Sequence, residues 1–238
     1  MRAFYVNSAA NSAKIESMAT GASPLQDQLD EITSTTRRLV QADRLRVSEQ
    51  ASEELFASGI EDRILAVGSE APDFTLENFD GKAIHLDDML SFGPVVVKFF
   101  RGRWDPYCVT ELEAWRNLYA ELRSRGVLLA AISPQAPRQN DFMVGHHLLP
   151  FPVLSDHGCR LATQFGLTWT VPDPLRSYYL SVMVNIPYIN EEESWTLPMP
   201  GTFVIAADRK VLFAEAHADS RVRPEPAEVL ACLPGSPR

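Results

Sequence analysis

The chain has 238 residues, 45% of them hydrophobic, and a formal net charge of −9. This length and composition can bury one full core with an extension, and the acidic balance argues against a general nucleic-acid or anionic-membrane partner. No run of 18 apolar residues occurs, so no membrane-spanning helix is expected. The opening residues, Met1 to Asn11, hold one basic residue but no sustained apolar stretch, so no cleaved signal is expected. Three cysteines (Cys108, Cys159, Cys232) are too few and too scattered for a disulfide scaffold, which makes a reducing cytoplasm the expected location.

Residues 1–22 are small and polar and read as a flexible arm, residues 23–64 as a helical extension, and residues 65–238 as the main domain. Ser23-Pro24 predicts a helix start, with Ser23 as N-cap and Pro24 at the first helical position. Leu25, Leu29, Ile32, Leu39 and Val40 recur at helical spacing, and a second helix is expected over 49–57, ending near Gly59. This charged pair has too narrow an apolar stripe for a core of its own, so it must lie on the main domain or on a second copy of the chain.

From Val67 the pattern changes. Phe74 and Leu76, an Asp80-Gly81 turn, then Ile84 and Leu86 predict a hairpin. Residues 95–100 read as a strand buried on both faces. A helix from Pro106 places Leu112, Trp115, Leu118, Tyr119 and Leu122 on one side and stops at Gly126. A strand over 127–132, a helix over 138–145, a short strand over 151–154 and a helical turn or two over 159–165 follow. The aromatic segment 167–195 has no assignable pattern. A second hairpin, 202–206 and 211–214 about an Asp208-Arg209-Lys210 turn, and a helix over 226–233 close the chain. The order β–α–β–α–β, then β–β–α, predicts an α/β protein with a mixed central sheet flanked by helices.

The chemistry concentrates where the buried strand runs into the first helix, whose opening turn is Asp105-Pro106-Tyr107-Cys108. A helix N-terminus offers unpaired N–H groups and a positive dipole end, the setting that stabilises a reactive thiolate. Asp105 followed by Pro106 is also a strong N-cap combination, worth about 1 kcal/mol. His146-His147 point about 100° apart on a helix, with no companion ligand at suitable spacing, so no metal site is read there. No phosphate loop or dinucleotide fingerprint occurs, and no cofactor is expected. Glu191 to Glu193 read as a solvated loop, and Cys159 and Cys232 as buried small apolar residues.

The motif Phe99-Phe-Arg-Gly-Arg-Trp-Asp-Pro-Tyr-Cys108, with blocks at 67–76, 131–135, 151–156 and 198–205, resembles the peroxiredoxin (alkyl hydroperoxide reductase/thiol-specific antioxidant, or redoxin) superfamily, a thioredoxin-like fold. The likeness covers residues 67–233 and looks closer to a bacterial peroxiredoxin-like subgroup. In such relatives the junction reads Trp-Cys-Pro-Tyr-Cys. Asp105 then takes the place of the peroxidatic cysteine, and Cys108 that of a resolving thiol. Gly102 stands where typical members have a threonine, so the usual peroxide-activating geometry does not carry over whole. The resemblance implies a thiol-dependent peroxidase acting on hydrogen peroxide or organic hydroperoxides, served by a thioredoxin- or glutaredoxin-like reductant, and a homodimer. Arg101 or Arg103 is the candidate cation. Trp104, with Trp169 and Trp195, is a candidate apolar wall. Pro200, after Met199, falls where thioredoxin folds place a cis-proline.

Asp105 can be neither attacking sulfur nor half of a disulfide. It is a structural cap, an engineered Cys→Asp change that imitates a sulfinic acid, or the mark of a natural pseudoenzyme. An inactivated peroxidase is the first reading, because the surrounding residues still look like those of an active relative. Cys108 is either a surviving thiol open to mixed disulfides or a half-buried one whose pKa the neighbouring carboxylate raises. A non-catalytic redox-regulatory or binding module, and a thiol–disulfide oxidoreductase, are the alternative functions.

Overall fold

The computed structural model describes residues 24–233, so the arm expected over residues 1–22 lies outside the described residues. The strands in chain order are β1 (Thr75–Asn78), β2 (Ala83–His85), β3 (Val95–Phe99), β4 (Leu128–Ser133), β5 (Val153–Ser155), β6 (Thr168–Thr170), β7 (Thr196–Pro198), β8 (Gly201–Ile205) and β9 (Val211–Ala216). Seven of them form one sheet in the order β2-β1-β5-β4-β3-β8-β9, while β6 and β7 make a separate ribbon. β3 pairs parallel with β4 (Val95 with Leu128) and antiparallel with β8 (Val95 with Ile205), so the parallel unit and the second hairpin meet along β3.

The helices are α1 (Leu25–Leu39), α2 (Ala42–Ala57), α3 (Leu86–Leu90), α4 (Pro106–Ser124), α5 (Pro137–His147), α6 (Arg160–Gln164), α7 (Asp173–Ser181), α8 (Ile186–Asn190) and α9 (Pro226–Ala231). β3 is buried throughout, and its residues alternate between two layers. Val95, Val97 and Phe99 join Phe165 and Phe203 on one side of the sheet; Val96 and Phe100 join Leu112, Trp115 and Val229 on the side that α4 and α9 cover. Lys98 keeps the period and therefore faces α4, not solvent. Gly126, at φ +71°, ends the α4 turn.

Several local expectations need correction. Helix α1 begins at Leu25 with Pro24 in the cap position, φ −50° and ψ 149°, one residue later than the Ser23 cap requires. Helix α2 begins at Ala42 rather than 49, since its charged first half gains support from tertiary contacts that a narrow apolar stripe does not reveal. Leu86 opens α3 instead of ending a strand, its side chain fully buried. No peptide bond among the described residues is cis, so Met199-Pro200 is trans.

Both leader helices lie on their own domain. Leu25 and Leu29 are buried, the Leu25 N–H donates to Glu225 Oε2 at 2.8 Å, and Gln26 Nε2 donates to the Arg221 carbonyl at 3.3 Å. The segment 167–195 holds α7 and α8, and with α2 it makes a third apolar cluster of Ala51, Val171, Leu175, Tyr179, Ile186 and Leu197. It joins the leader to the sheet.

Candidate active site

The loop between β3 and α4 is shaped by steric exclusion. Gly102 sits at φ +147°, and a Cβ there would meet the Trp104 indole at 2.8 Å from Nε1 and 2.9 Å from Cδ1. Any larger residue, threonine included, would displace Trp104. The Asp105 N–H donates to the Gly102 carbonyl at 3.2 Å, and the Arg103 N–H donates to Gln135 Oε1 at 2.9 Å, tying the loop to the end of β4.

Helix α4 then starts with Asp105 as N-cap and Pro106 at the first helical position. Asp105 Oδ1 accepts from the Tyr107 N–H at 3.1 Å. Its other oxygen, Oδ2, gathers three donors: Arg101 Nε at 2.7 Å, an Arg101 Nη at 2.7 Å, and the Cys108 thiol at 2.9 Å. Arg101 also lies over the Trp104 ring, 5.2 Å from its centroid. Arg103 is turned away, donating to Gln139 and stacking on Phe142. Of the two candidate cations, Arg101 is the one at the carboxylate.

Asp105 is 1% exposed. Burial alone would raise its pKa, but Arg101, then Arg223 and the donated hydrogen bonds, hold it below the usual carboxylate range. Burial also leads in pushing the Cys108 thiol up to about 12, with Asp105 adding to the effect and Arg223 and Arg101 opposing it. The carboxylate thus acts on Cys108 in the expected direction, yet burial is the larger cause, because the thiol is fully enclosed rather than half-buried.

One turn deeper on the same face lies a cluster that sequence reasoning missed. Glu111 is fully buried between Lys98 Nζ, 2.7 Å from Oε1, and Arg223 Nε, 2.8 Å from Oε2. Lys98 also donates to Thr202 Oγ1 on β8 at 3.2 Å. Burial lowers the Lys98 pKa, with Glu111 opposing. Arg223 Nη2 is buried without a hydrogen-bond partner among the described residues. The signal was present in one case: a lysine inside an otherwise apolar strand needs a buried counter-ion.

Above Asp105 lies a cleft of about 210 Å³, bounded by Trp104 and Tyr107, by Thr33 and Ser48 of the leader, and by Tyr179 of α7. Thr33 Oγ1 and the Tyr107 hydroxyl are 3.1 Å apart, joining the leader to the first turn of α4. Trp104 meets Tyr179 edge-on at 5.1 Å. Trp169 and Trp195 pack in the third cluster and take no part in the cleft wall. Pro200 is buried at the start of β8, beyond the cleft lining. Cys159 is buried, as expected, but Cys232 is exposed, because it follows the last turn of α9 on the outer side. A larger hollow of about 570 Å³ beyond the ends of β4 and β5 contains neither Asp105 nor Cys108.

A mixed sheet with a helix start that sets a buried carboxylate beside a cleft, with an enclosed thiol bonded to it, defines a thioredoxin-type α/β protein with a redox-like site. Residues 67–214 match the AhpC/TSA family model, and the chain belongs to that family. It is 34% identical over 103 residues to a putative peroxiredoxin bcp of Haemophilus influenzae, covering 43% of this chain and 66% of that protein. It is 31% identical over 100 residues to a chloroplastic peroxiredoxin Q of Populus jackii, covering 42% and 46%. The chain therefore spans about half to two thirds of these relatives' length. Among solved structures, peroxidoxin BcpB from Mycobacterium tuberculosis superposes with a TM-score of 0.56 at 25% identity, over 71% of this chain and 96% of that one. AhpC from the same organism superposes at 0.54 and 21% identity, over 71% and 91%, a likeness of fold.

Proposed function

We propose that this chain is a peroxiredoxin-type thiol peroxidase whose attacking sulfur is replaced by Asp105, leaving the present form without turnover. The observation that carries the reading is the convergence of Arg101 and the Cys108 thiol on one Asp105 oxygen, at 2.7 and 2.9 Å. A sulfur in that seat gains a guanidinium, a helix N-terminus and a second thiol within bridging reach. Its thiolate attacks a hydroperoxide: an S–O bond forms, the O–O bond breaks, and the alkoxide or hydroxide leaves and takes a proton. Cys108 then attacks the sulfenic acid, water leaves, and a disulfide remains for a thioredoxin- or glutaredoxin-like dithiol to reduce. Asp105 supports none of these steps. Cys108 alone does not replace it, since a buried thiol with a pKa of about 12 is ionised at neutral pH only to roughly one part in 100,000. A cytoplasmic setting fits this dependence on a thiol reductant.

The test is Asp105→Cys assayed with hydrogen peroxide and with an organic hydroperoxide, using thioredoxin as reductant. We expect consumption of peroxide in the variant, its loss as a recycling activity when Cys108→Ser is added, and none in the Asp105 chain. No gain in Asp105→Cys overturns the reading. So does peroxide consumption by the unaltered chain that Cys108→Ser abolishes, which moves the nucleophile to position 108.

A further inference from the structure

The hollow beyond the ends of β4 and β5 lies where the sheet changes the side of its connections. After β4 the chain enters α5, whose Met143 joins the layer of Trp115. After β5 it enters α6, whose Leu161 and Ala162 join the layer of Phe99 on the opposite face. Two neighbouring parallel strands therefore send their chains to opposite sides, and a crevice opens between them at their carboxyl ends. That is where open α/β sheets seat ligands. At about 570 Å³ the crevice is roughly nineteen times one water's share of liquid volume, enough for a bicyclic molecule.

Its rim is preorganised. Gln135 Nε2 donates to Asn140 Oδ1 at 2.6 Å, Asn140 Nδ2 to Ser155 Oγ at 2.9 Å, and the Ser155 hydroxyl to the Gln135 carbonyl at 3.0 Å. The Ala136 N–H donates to the Ile189 carbonyl at 3.1 Å, and Arg138 pairs with Glu191 at 2.8 Å, so the end of α8 is fixed against the same loop.

Two groups at the crevice are left unmatched. Asn190 is 3% exposed, and its Oδ1 has no hydrogen-bond partner among the described residues. A buried acceptor in that state is costly unless a ligand or water brings it a donor. Four carboxylates line the space, and three are answered. Asp156 accepts the Leu161 and Ala162 N–H groups with Arg160 beside it, Glu191 has Arg138, and Asp73 has Arg209 at 3.7 Å. Glu77 on β1 makes no ion pair among the described residues. Phe74, Leu76 and Leu161 supply apolar wall.

We infer that this crevice binds a small organic cation: an amine with its charge toward Glu77, its apolar body against Phe74 and Leu161, and an N–H donated to Asn190 Oδ1. The site is separate from Asp105 and does not rest on the peroxidase reading. The test is calorimetric titration of the whole chain with tryptamine, and with tryptophol and indole-3-propionate as the uncharged and anionic counterparts of the same ring. The Asn190 side-chain amide resonances are followed by NMR alongside. We expect saturable binding of tryptamine that shifts those resonances, weaker binding of tryptophol, and weakest binding of the propionate. Asn190→Leu should weaken tryptamine about ten-fold, as loss of one hydrogen bond implies, and should keep or raise the urea midpoint, because it removes a buried acceptor without a partner. Glu77→Gln should weaken tryptamine roughly three-fold and abolish its preference over tryptophol. No saturable binding of tryptamine, equal affinity in Asn190→Leu, or tighter binding of the propionate overturns the site. A fall in the Asn190→Leu midpoint overturns it too, since the amide would then have a partner inside the protein.

Discussion

Helix α4 buries two carboxylates, Asp105 at its cap and Glu111 in its second turn, and their surroundings differ in a way that separates chemistry from architecture. Asp105 stands at the first turn, beside a cleft, with one guanidinium, one thiol and one backbone N–H as partners. Glu111 stands deeper, fully buried between Lys98 from the sheet and Arg223 from the chain before α9, and it does not line that cleft. Water can reach the neighbourhood of the first but not the second. A charge at position 105 can therefore be exchanged for another anion, whereas the charge at 111 has to stay or take its partners with it.

The most direct way to break this comparison is Glu111→Gln. It leaves two buried cations without their shared anion and should cost about 3–5 kcal/mol, read as a large fall in the urea midpoint. A loss below about 1 kcal/mol would mean that Lys98 and Arg223 find other partners and that the deep cluster is not a unit. Next in size is Arg101→Gln, which removes a charge-assisted pair at the cleft edge and should cost about 2–3 kcal/mol.

The same variant sharpens the comparison through pH. Asp105 has a folded-state pKa held below its unfolded value of about 3.9. Its contribution is fully present above that value and is lost as pH falls through the lower folded one. Arg101→Gln should therefore flatten the acid limb of the stability profile, while an unchanged limb would show that Asp105 is not held ionised by Arg101. The smallest effect belongs to Thr33→Ala, which removes the hydrogen bond between the leader and Tyr107 and should cost about 0.5–1.5 kcal/mol in thermal unfolding. An equal effect in a Tyr107→Phe chain would mean that the bond is already absent in solution.

The parts of the site within one stretch of sequence were legible. The buried strand and the Asp105-Pro106 cap follow from rules that act over a few residues, side-chain alternation and satisfaction of the first N–H groups, whereas the choice between Arg101 and Arg103 as the cation had to wait for the fold. What failed was whatever depended on distant chain. Arg223 lies in a loop after β9 and gave no local signal, yet it reaches Glu111. The segment 167–195 had no single period because its short elements, β6, α7 and α8, are each only three to nine residues long. Trp104 looked like one of three equivalent wall residues, but only it borders the cleft.

By itself the sequence determined that β3 would be buried on both faces, that α4 would begin at Pro106 under an aspartate cap, and that a mixed α/β sheet would hold them. Only the tertiary structure decided that Cys108 is sealed from solvent, that the leader and α7 close a cleft over Asp105, and that Lys98, Glu111 and Arg223 share one buried cluster. The reason is that secondary structure answers to backbone hydrogen bonding and side-chain periodicity within a window of residues. Burial, and with it every charge that burial perturbs, depends on which distant segments come to lie on top.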